Sequence, residues 1–366
     1  MPKNPKVGII YLTWSEDPYQ YLNEMFKGVR NQTYPREDLL LIIVYHPKGE
    51  STPVTQFIQE QIEKHQETLP QVIFLPQDEN WGFSKGNNIG TCEAIKQGCE
   101  YIFLHNADGT MQNKCVEELM NTMASDKKIA VVQALILLSP ETHLINSAGN
   151  SWHYLGFGFC DHYRENISTF QSAEVVDIGY ASGAAVIMRA DILQQYGLWD
   201  EDYFLYHEDT DYSLRLKTLG LRVVLARRSI FFHHYEFSRS IQKYYWMERN
   251  RYALLLVFYR FRTLVLLMPM MIVLEVGLLC FSLVRGWWRE RLKVYWYWLQ
   301  PKHWKLWLVK RKKTQDARLI SDRELLKTAV SEVKFQENAV QNPILNKIGN
   351  TIMRKYWQLV SSLVWW

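Results

Sequence analysis

Apolar and polar positions alternate along the chain in blocks that predict strands and helices in turn. Val7 to Leu12 is an unbroken apolar and β-branched run bounded by Thr13, Trp14 and Ser15, which predicts a strand buried on both faces. Tyr19 to Arg30 then repeats apolar residues at helical spacing. Leu39 to Tyr45 predicts a second strand, Thr55 to Gln66 a second helix, and Val72 to Leu75 a third strand that stops at Pro76. Further strands are expected at Tyr101 to Leu104, Ile129 to Leu138, Ala185 to Met188 and Val223 to Phe232. Strands joined through helices require crossovers, so the pattern predicts a parallel α/β sheet. Such sheets take their ligands at the C-terminal strand ends. Thr13 with Trp14, Tyr45 to Glu50, and Pro76 to Gly90 are therefore expected on one rim.

The pattern changes after residue 260. Thr263 to Val284 is apolar except for Glu275 and is interrupted by Pro269. Its length could cross a bilayer, but an acid and a proline near mid-length favour two shorter helices lying in or dipping into one leaflet. Trp287, Trp288, Trp296, Trp298, Trp304 and Trp307 follow, interleaved with arginines and lysines from Arg285 to Lys313. Tryptophan with basic residues is the composition of a belt at lipid headgroups on the cytoplasmic side. Ile344, Leu345, Ile348, Ile352, Leu359, Val360 and Leu363 predict a terminal amphipathic helix ending in Trp365 and Trp366, a second interface candidate. The chain is thus expected to divide into residues 1–260 and a helical, membrane-associated region 261–366.

Composition narrows the class. With 48% hydrophobic, 14% aromatic and 22% charged residues among 366, the chain can build a core and is not of disordered type. A net charge of +4, concentrated in its basic excess near the C-terminus, is too small for nucleic-acid binding by the whole molecule. Basic and aromatic residues together can also serve single-stranded nucleic acid, but no such motif accompanies them, so no nucleic acid is expected. Five cysteines without C-x-x-C spacing suggest neither a disulfide framework nor a zinc site, and a reducing cytoplasm is expected. The first apolar run is strand-length, shorter than the core of a secretory signal.

Several stretches carry candidate chemistry. Asn80 to Gly90 reads NWGFSKGNNIG, whose glycines and asparagines supply tight turns and free amides ahead of a helix, a geometry suited to phosphate, although it also makes ordinary capped turns. Asp108 is a lone carboxylate on a glycine-containing turn after the fourth strand. Ser182, Gly183 and Ala184 make a small-residue turn that lets backbone or ligand approach closely. Glu208, Asp209 and Asp211 then place three carboxylates within four residues, just before Leu214, Leu216 and Leu219 begin a helical pattern closed by Gly220. One acid suffices to cap a helix. Three, behind Tyr203, Phe204 and Tyr206, point to a site where one carboxylate accepts a proton and its neighbours hold it. His233 and His234 end the strand Val223 to Phe232, where a neutral imidazole can join a metal held by an aspartate. Trp152, Tyr154, Phe157 and Phe159, in the variable region 141–177, are expected as a lid, since aromatic faces stack well on sugar C–H surfaces, with core filling as the commoner use.

These motifs resemble family 2 of the inverting nucleotide-sugar glycosyltransferases, over residues 7–260 and more loosely to Leu326. The family's N-x-G-(F/Y)-(A/S)-x-G-N-N-x-G corresponds to Asn80, Gly82, Phe83, Ser84, Gly86, Asn87, Asn88 and Gly90. Its G-A-x-x-x-x-R, G-x-(F/W)-D-E-x-(F/Y) and E-D-x-D correspond to Gly183, Ala184 and Arg189, to Gly197, Trp199, Asp200, Glu201 and Tyr203, and to Glu208, Asp209 and Asp211. The resemblance implies a GT-A fold, a mostly parallel Rossmann-like sheet flanked by helices, here with the C-terminal membrane-associated appendage. It implies donor binding by Thr13, Trp14, Asn80, Gly82, Phe83, Gly86, Asn87, Asn88, Asn106 and Arg249, the last within Tyr244-Tyr245-x-x-x-Arg249-Asn250. Gly183, Ala184, Trp199, Asp200 and Glu201 would serve sugar and acceptor. Asp209 would be the general base, with Glu208 and Asp211 its supports.

Two positions depart from the family. Asn106 replaces the first Asp of D-x-D, as in a rhamnosyltransferase-like branch, leaving Asp108 as the main ligand of Mg²⁺ or Mn²⁺. A histidine five residues before Ser238 selects His233 as the other ligand, with His234 the neighbouring alternative. Tyr45-His46-Pro47 stands where the family offers Asp or Asn to base or ribose, which leaves a dTDP-, UDP- or GDP-linked donor open. The implied activity is metal-dependent transfer of a hexosyl or deoxyhexosyl group to a glycan or lipid-linked acceptor in cell-surface polysaccharide synthesis, at the cytoplasmic face of a membrane. The rival from another class is a non-catalytic membrane-associated scaffold, since Asn106 and Tyr45 weaken two expected contacts. A nucleotidyltransferase would need a basic Gly-rich loop after the first strand, and a dehydrogenase G-x-G-x-x-G there; Thr13 to Asp17 is neither.

Overall fold

In the computed structural model, residues 4–47, 53–235, 244–334 and 348–366 are described. Lys48 to Glu50, Ser238, Ile344 and Leu345, which enter the readings above, lie outside them. The chain forms two compact units. The first comprises Met1–Asn150, Cys160–Phe204 and Arg222–Tyr235; the second comprises Ser151–Phe159, Leu205–Leu221 and Glu236–Trp366.

The first unit is built on β1 (Val7–Trp14), α1 (Tyr19–Arg30), β2 (Leu39–His46), α2 (Pro53–Lys64), β3 (Gln71–Pro76), α3 (Gly82–Lys96) and β4 (Tyr101–Asn106). β5 (Gly109–Met111), α4 (Cys115–Ala124), β6 (Ile129–Leu138) and β7 (Ile145–Ser147) follow. After β8 (Asn150–His153) and β9 (Gly158–Cys160), which belong to a small separate sheet, come β10 (Val175–Asp177), β11 (Ala185–Arg189), α5 (Ala190–Tyr196) and β12 (Arg222–His233). The main sheet runs β10-β12-β6-β11-β4-β1-β2-β3, with β5 on β12 and β7 on β6. The half β4-β1-β2-β3 is parallel, as the strand–helix alternation requires. β11 enters antiparallel between β4 and β6, while β6 and β12 are parallel to each other. The sheet is therefore mixed, with a Rossmann-like parallel half.

Every residue of β2 is buried, which explains its continuous apolar run. α1 buries Tyr21, Leu22, Met25, Phe26 and Val29, one helical face. The expected loop at 80–90 is instead mostly helix, since α3 begins at Gly82. Its glycines are packing positions. A Cβ on Gly86 would stand 2.6 Å from Leu12 Cδ1, and one on Gly90 would stand 2.5 Å from Ile10 Cγ2, so only glycine lets α3 lie this close to β1.

The second unit holds α6 (Glu208–Thr218), α7 (Tyr244–Phe258), α8 (Phe261–Arg285), α9 (Trp288–Leu299), α10 (Pro301–Ala317), α11 (Asp322–Leu326) and α12 (Asn350–Leu363). β13 (Ala329–Val330) pairs with β8. The aromatics expected as a lid fill this unit's interior instead: Trp152 and Tyr154 are buried, Trp152 Nε1 donates to Thr328 Oγ1 at 3.1 Å, and Tyr154 stacks on Trp357. Phe159 is likewise buried, and Phe157 lies under the Arg251 guanidinium. Pro269 does not divide the apolar stretch into two helices. α8 is one helix of 25 residues with Pro269 inside it. Among the basic and tryptophan residues of the next segment, Trp288, Trp296 and Trp304 are exposed, whereas Trp307, Arg291 and Arg311 are buried and structural.

Candidate functional site

In the first unit, the end of β4 turns through Ala107 and Asp108 into β5, which pairs antiparallel with the end of β12 so that Gly109 faces His233. This pairing brings Asp108 Oδ1 to 2.9 Å from His233 Nε2. The other ring nitrogen, Nδ1, lies 2.9 Å from Asn146 Oδ1 on β7 and donates to it, which leaves the lone pair on Nε2. In that tautomer the Nε2 lone pair and the Asp108 carboxylate both face a point that a cation can take. Asn106 Nδ2 donates to Asp108 Oδ1 at 2.5 Å and lies 3.1 Å from His233 Nε2, so it ties the pair together. One carboxylate and one neutral imidazole fit a divalent cation whose other ligands are diphosphate oxygens or water. Among the described residues no group of three His, Cys, Asp or Glu side chains converges on such a point. His234 is elsewhere, bonded through Nε2 to Glu24 at 2.8 Å and stacked on Tyr21.

Near the start of α3, expected donor and acceptor residues meet. Asn88 Nδ2 donates to Trp199 O and to Glu201 Oε1, each at 2.9 Å, and Asn88 Oδ1 accepts from Trp199 N. Phe83 meets the Trp199 ring edge-on, and a Cβ on Gly183 would lie 3.0 Å from Phe83 Cζ. Gly82 has φ +78° against Phe204, with its N–H on Asn80 Oδ1 at 2.9 Å. Asn87 Nδ2 returns to Phe83 O, Ala184 O accepts from Asn106 N, and Asp200 caps the turn by accepting from Asp202 N. Thr13 Oγ1 and Trp14 N both donate to Asp17 Oδ2, folding the turn after β1. At the end of β2, His46 is buried, and burial holds its ring below the ordinary histidine range.

The acidic block belongs to the second unit and forms the first turn of α6. Tyr206 and His207, immediately before it, take φ of 66° and 68°, and Phe204, two residues before Tyr206, takes 61°, positive values that are costly for such side chains. Asn250, fully buried on α7, holds Leu205 O at 3.0 Å and Tyr206 O at 2.7 Å with one amide nitrogen. Glu208 is buried, and burial together with the neighbouring Asp209 pushes its carboxyl well above the usual range. Asp209 is half-exposed, with Oδ1 accepting from Thr210 N at 2.7 Å. Asp211 is buried against Arg215 at 2.6 Å. Arg249 is also buried, donating through Nε to Asn250 Oδ1 and lying over the rings of Trp246 and Tyr297.

Asp17, Asn146 and Asn250 are contributors that sequence reasoning missed as site residues. Asp17 was open to detection, because an acid three residues after Trp14 can close the turn behind a strand. Asn250 sits beside Arg249 in the quoted motif. Nothing local marks Asn146.

A mixed sheet with a Rossmann-like parallel half and an Asn-x-Asp turn at the end of β4 defines the GT-A class of fold. The chain belongs to the family described as glycosyltransferase like family 2, which matches residues 5–252. A crystal structure of GalNAc-T7 with UDP, GalNAc and Mn²⁺ aligns with a TM-score of 0.52 at 14% identity, covering 63% of this chain and 43% of that one. Staphylococcus aureus TarS aligns at 0.46 and 13% identity, covering 69% and 40%. The mannosyltransferase PcManGT from Pyrobaculum calidifontis, in complex with GDP-Man and Mn²⁺, aligns at 0.48 and 14% identity, covering 99% and 87%. The chain thus spans less than half the length of the first two structures. At 14% identity the likeness to GalNAc-T7 is one of fold. No curated protein sequence matches.

Proposed function

We propose that this protein is a metal-dependent inverting glycosyltransferase that moves a hexosyl or deoxyhexosyl group from a nucleoside-diphosphate sugar to a hydroxyl of a glycan or lipid-linked acceptor. The observation that carries the reading is the Asp108–His233 pair, a carboxylate oxygen and an imidazole nitrogen 2.9 Å apart with the far imidazole nitrogen held by Asn146. Asp108 and His233 would hold a divalent cation, Mg²⁺ or Mn²⁺, which would supply charge stabilisation for a leaving diphosphate. Mn²⁺ with UDP in the solved GalNAc-T7 structure is consistent with this. Asp209 is the proposed base. Its carboxylate takes the proton of the acceptor hydroxyl as that oxygen attacks the anomeric carbon opposite the leaving group, which inverts the configuration. Buried Glu208 and the Arg215-paired Asp211 hold the helix start around it.

Asn106 supports assignment to the rhamnosyltransferase-like branch. Residues 1–260 are the proposed catalytic part and 261–366 the part that attaches the enzyme to the cytoplasmic face of a membrane in cell-surface polysaccharide synthesis. α8 is one helix long and apolar enough to cross a bilayer and mostly unburied, which supports contact with lipid. The test is calorimetry of nucleoside diphosphates with and without Mn²⁺. Asp108→Ala is expected to abolish the metal-dependent binding, and unchanged affinity and metal dependence would reject the metal role.

A further inference from the structure

α8 satisfies the length and composition of a membrane span, and at 1.5 Å per residue it is about 37 Å long. Its packing within the second unit argues for a different placement, and three observations bear on it.

The first is one-sided burial along the whole helix. Thr263, Leu267, Met270 and Ser282 are buried, while Phe261, Val265, Met268, Ile272, Val276 and Leu283 are exposed. The exposed residues recur at helical spacing from one end to the other, so they form a single apolar stripe parallel to the helix axis. α12 lies beside α8 and antiparallel to it, since Tyr356 OH donates to Leu266 O and Trp366 Nε1 donates to Thr263 Oγ1 at 2.9 Å. It exposes Ile352, Leu359 and Leu363, and Trp365 just beyond it is exposed as well, which adds to the apolar area.

The second is the middle of α8. Glu275 accepts from Arg291 and Tyr295 on α9 and from Tyr252 on α7. α9 therefore doubles back alongside α8 after Gly286, whose left-handed φ of 80° reverses the chain. Lys293, between the Arg291 and Tyr295 that meet Glu275, is exposed and paired with Glu290 at 2.8 Å. If α8 crossed a bilayer, that ammonium and the ion cluster behind it would sit near the hydrocarbon centre, where charges are most costly.

The third is the two ends. Arg260 and Arg262 precede or open α8, with Arg262 over Trp366 at 4.2 Å, and Arg285, Trp288 and Arg289 close it. Crossing would place one basic, tryptophan-bearing end on the far side of the membrane. Lying flat places both ends in the same anionic headgroup layer.

We infer that α8, with α12 beside it, lies in the plane of one anionic leaflet with its apolar stripe turned into the acyl region, and does not cross the membrane. This rests on the membrane attachment proposed above. In a chain carrying Cys92→Ser, Cys160→Ser and Cys280→Ser, the substitutions Val265→Cys, Ile272→Cys and Leu283→Cys each give an exposed site on the stripe for a fluorophore. The labelled proteins are bound to phosphatidylcholine–phosphatidylglycerol vesicles containing lipids with a shallow or a deep quencher. The expected result is the same shallow-to-deep quenching ratio at all three positions, favouring the shallow quencher. Strongest deep quenching at position 272 with shallow quenching at 265 and 283 would overturn the in-plane placement and leave membrane attachment standing. Absence of quenching at all three would overturn both together.

Discussion

Asp209 and Asp211 stand two residues apart yet meet different surroundings. The half-exposed Asp209 touches its own helix start, whereas Asp211 is buried against Arg215. Asp209→Asn keeps the shape and removes the proton acceptor, so donor binding is expected to survive while turnover falls by roughly 10²- to 10⁴-fold. Asp211→Asn leaves the Arg215 guanidinium short of a partner and is expected to cost about 1–3 kcal/mol in urea unfolding with a smaller loss of turnover. Near-normal turnover in Asp209→Asn, with turnover lost and stability kept in Asp211→Asn, would show that the base is misassigned. His207, just before these acids, supplies a pH test. Burial holds its ring down at about 4, against 6.5 for a free histidine. Between those values the unfolded chain binds a proton that the folded one refuses, so this residue's contribution to stability is lost as pH falls from about 6.5 towards about 4, by up to about 3 kcal/mol. His207→Asn, which tolerates the left-handed φ, is expected to flatten that part of the stability–pH curve. An unchanged slope would remove His207 as its source.

At the scale of elements, α3 shows how a motif can act through packing. Gly86 and Gly90 face Leu12 and Ile10 on β1 at distances no Cβ could share without movement. Gly90→Ala is therefore expected to destabilise the fold by about 1–3 kcal/mol through overpacking. Gly277 on α8 is the comparison: an added Cβ there meets nothing within 4 Å, so Gly277→Ala should be neutral or stabilising. Thermal unfolding of the two variants decides this, and equal midpoints would contradict the packing argument. The positive-φ turn before α6 is held by another element, since Asn250 on α7 bonds Leu205 O and Tyr206 O.

For the whole molecule, the exposed apolar stripe of α8 and the basic residues near its ends predict binding to lipid that depends on anionic headgroups. Full-length protein is expected to float with vesicles containing phosphatidylglycerol and to float less with phosphatidylcholine alone. Retention in the soluble fraction in both cases would contradict the membrane assignment. The basic excess that produces this expectation is local rather than global, given a net charge of only +4.

The buried strands, the strand–helix alternation and the ordered motifs from Asn80 to Asp211 were legible in the sequence, because burial on both faces and close turns restrict which residues can stand there. That legibility extended to Asp108 and His233 as a candidate pair. Local pattern could not separate His233 from His234, since adjacent residues on a strand point to opposite faces and only the pairing of β5 with β12 fixes which one meets Asp108. Nor could it tell a glycine that frees a loop from one that lets a helix approach a strand, because the neighbour that decides, Ile10 for Gly90, is 80 residues away. The same holds for α8. Its composition allowed a span or two shorter helices; the structure makes it one helix whose Glu275 is bonded by Arg291, Tyr252 and Tyr295 from other helices. Sequence alone determined what each segment could bury; the tertiary structure decided against what, because those partners come from distant parts of the chain.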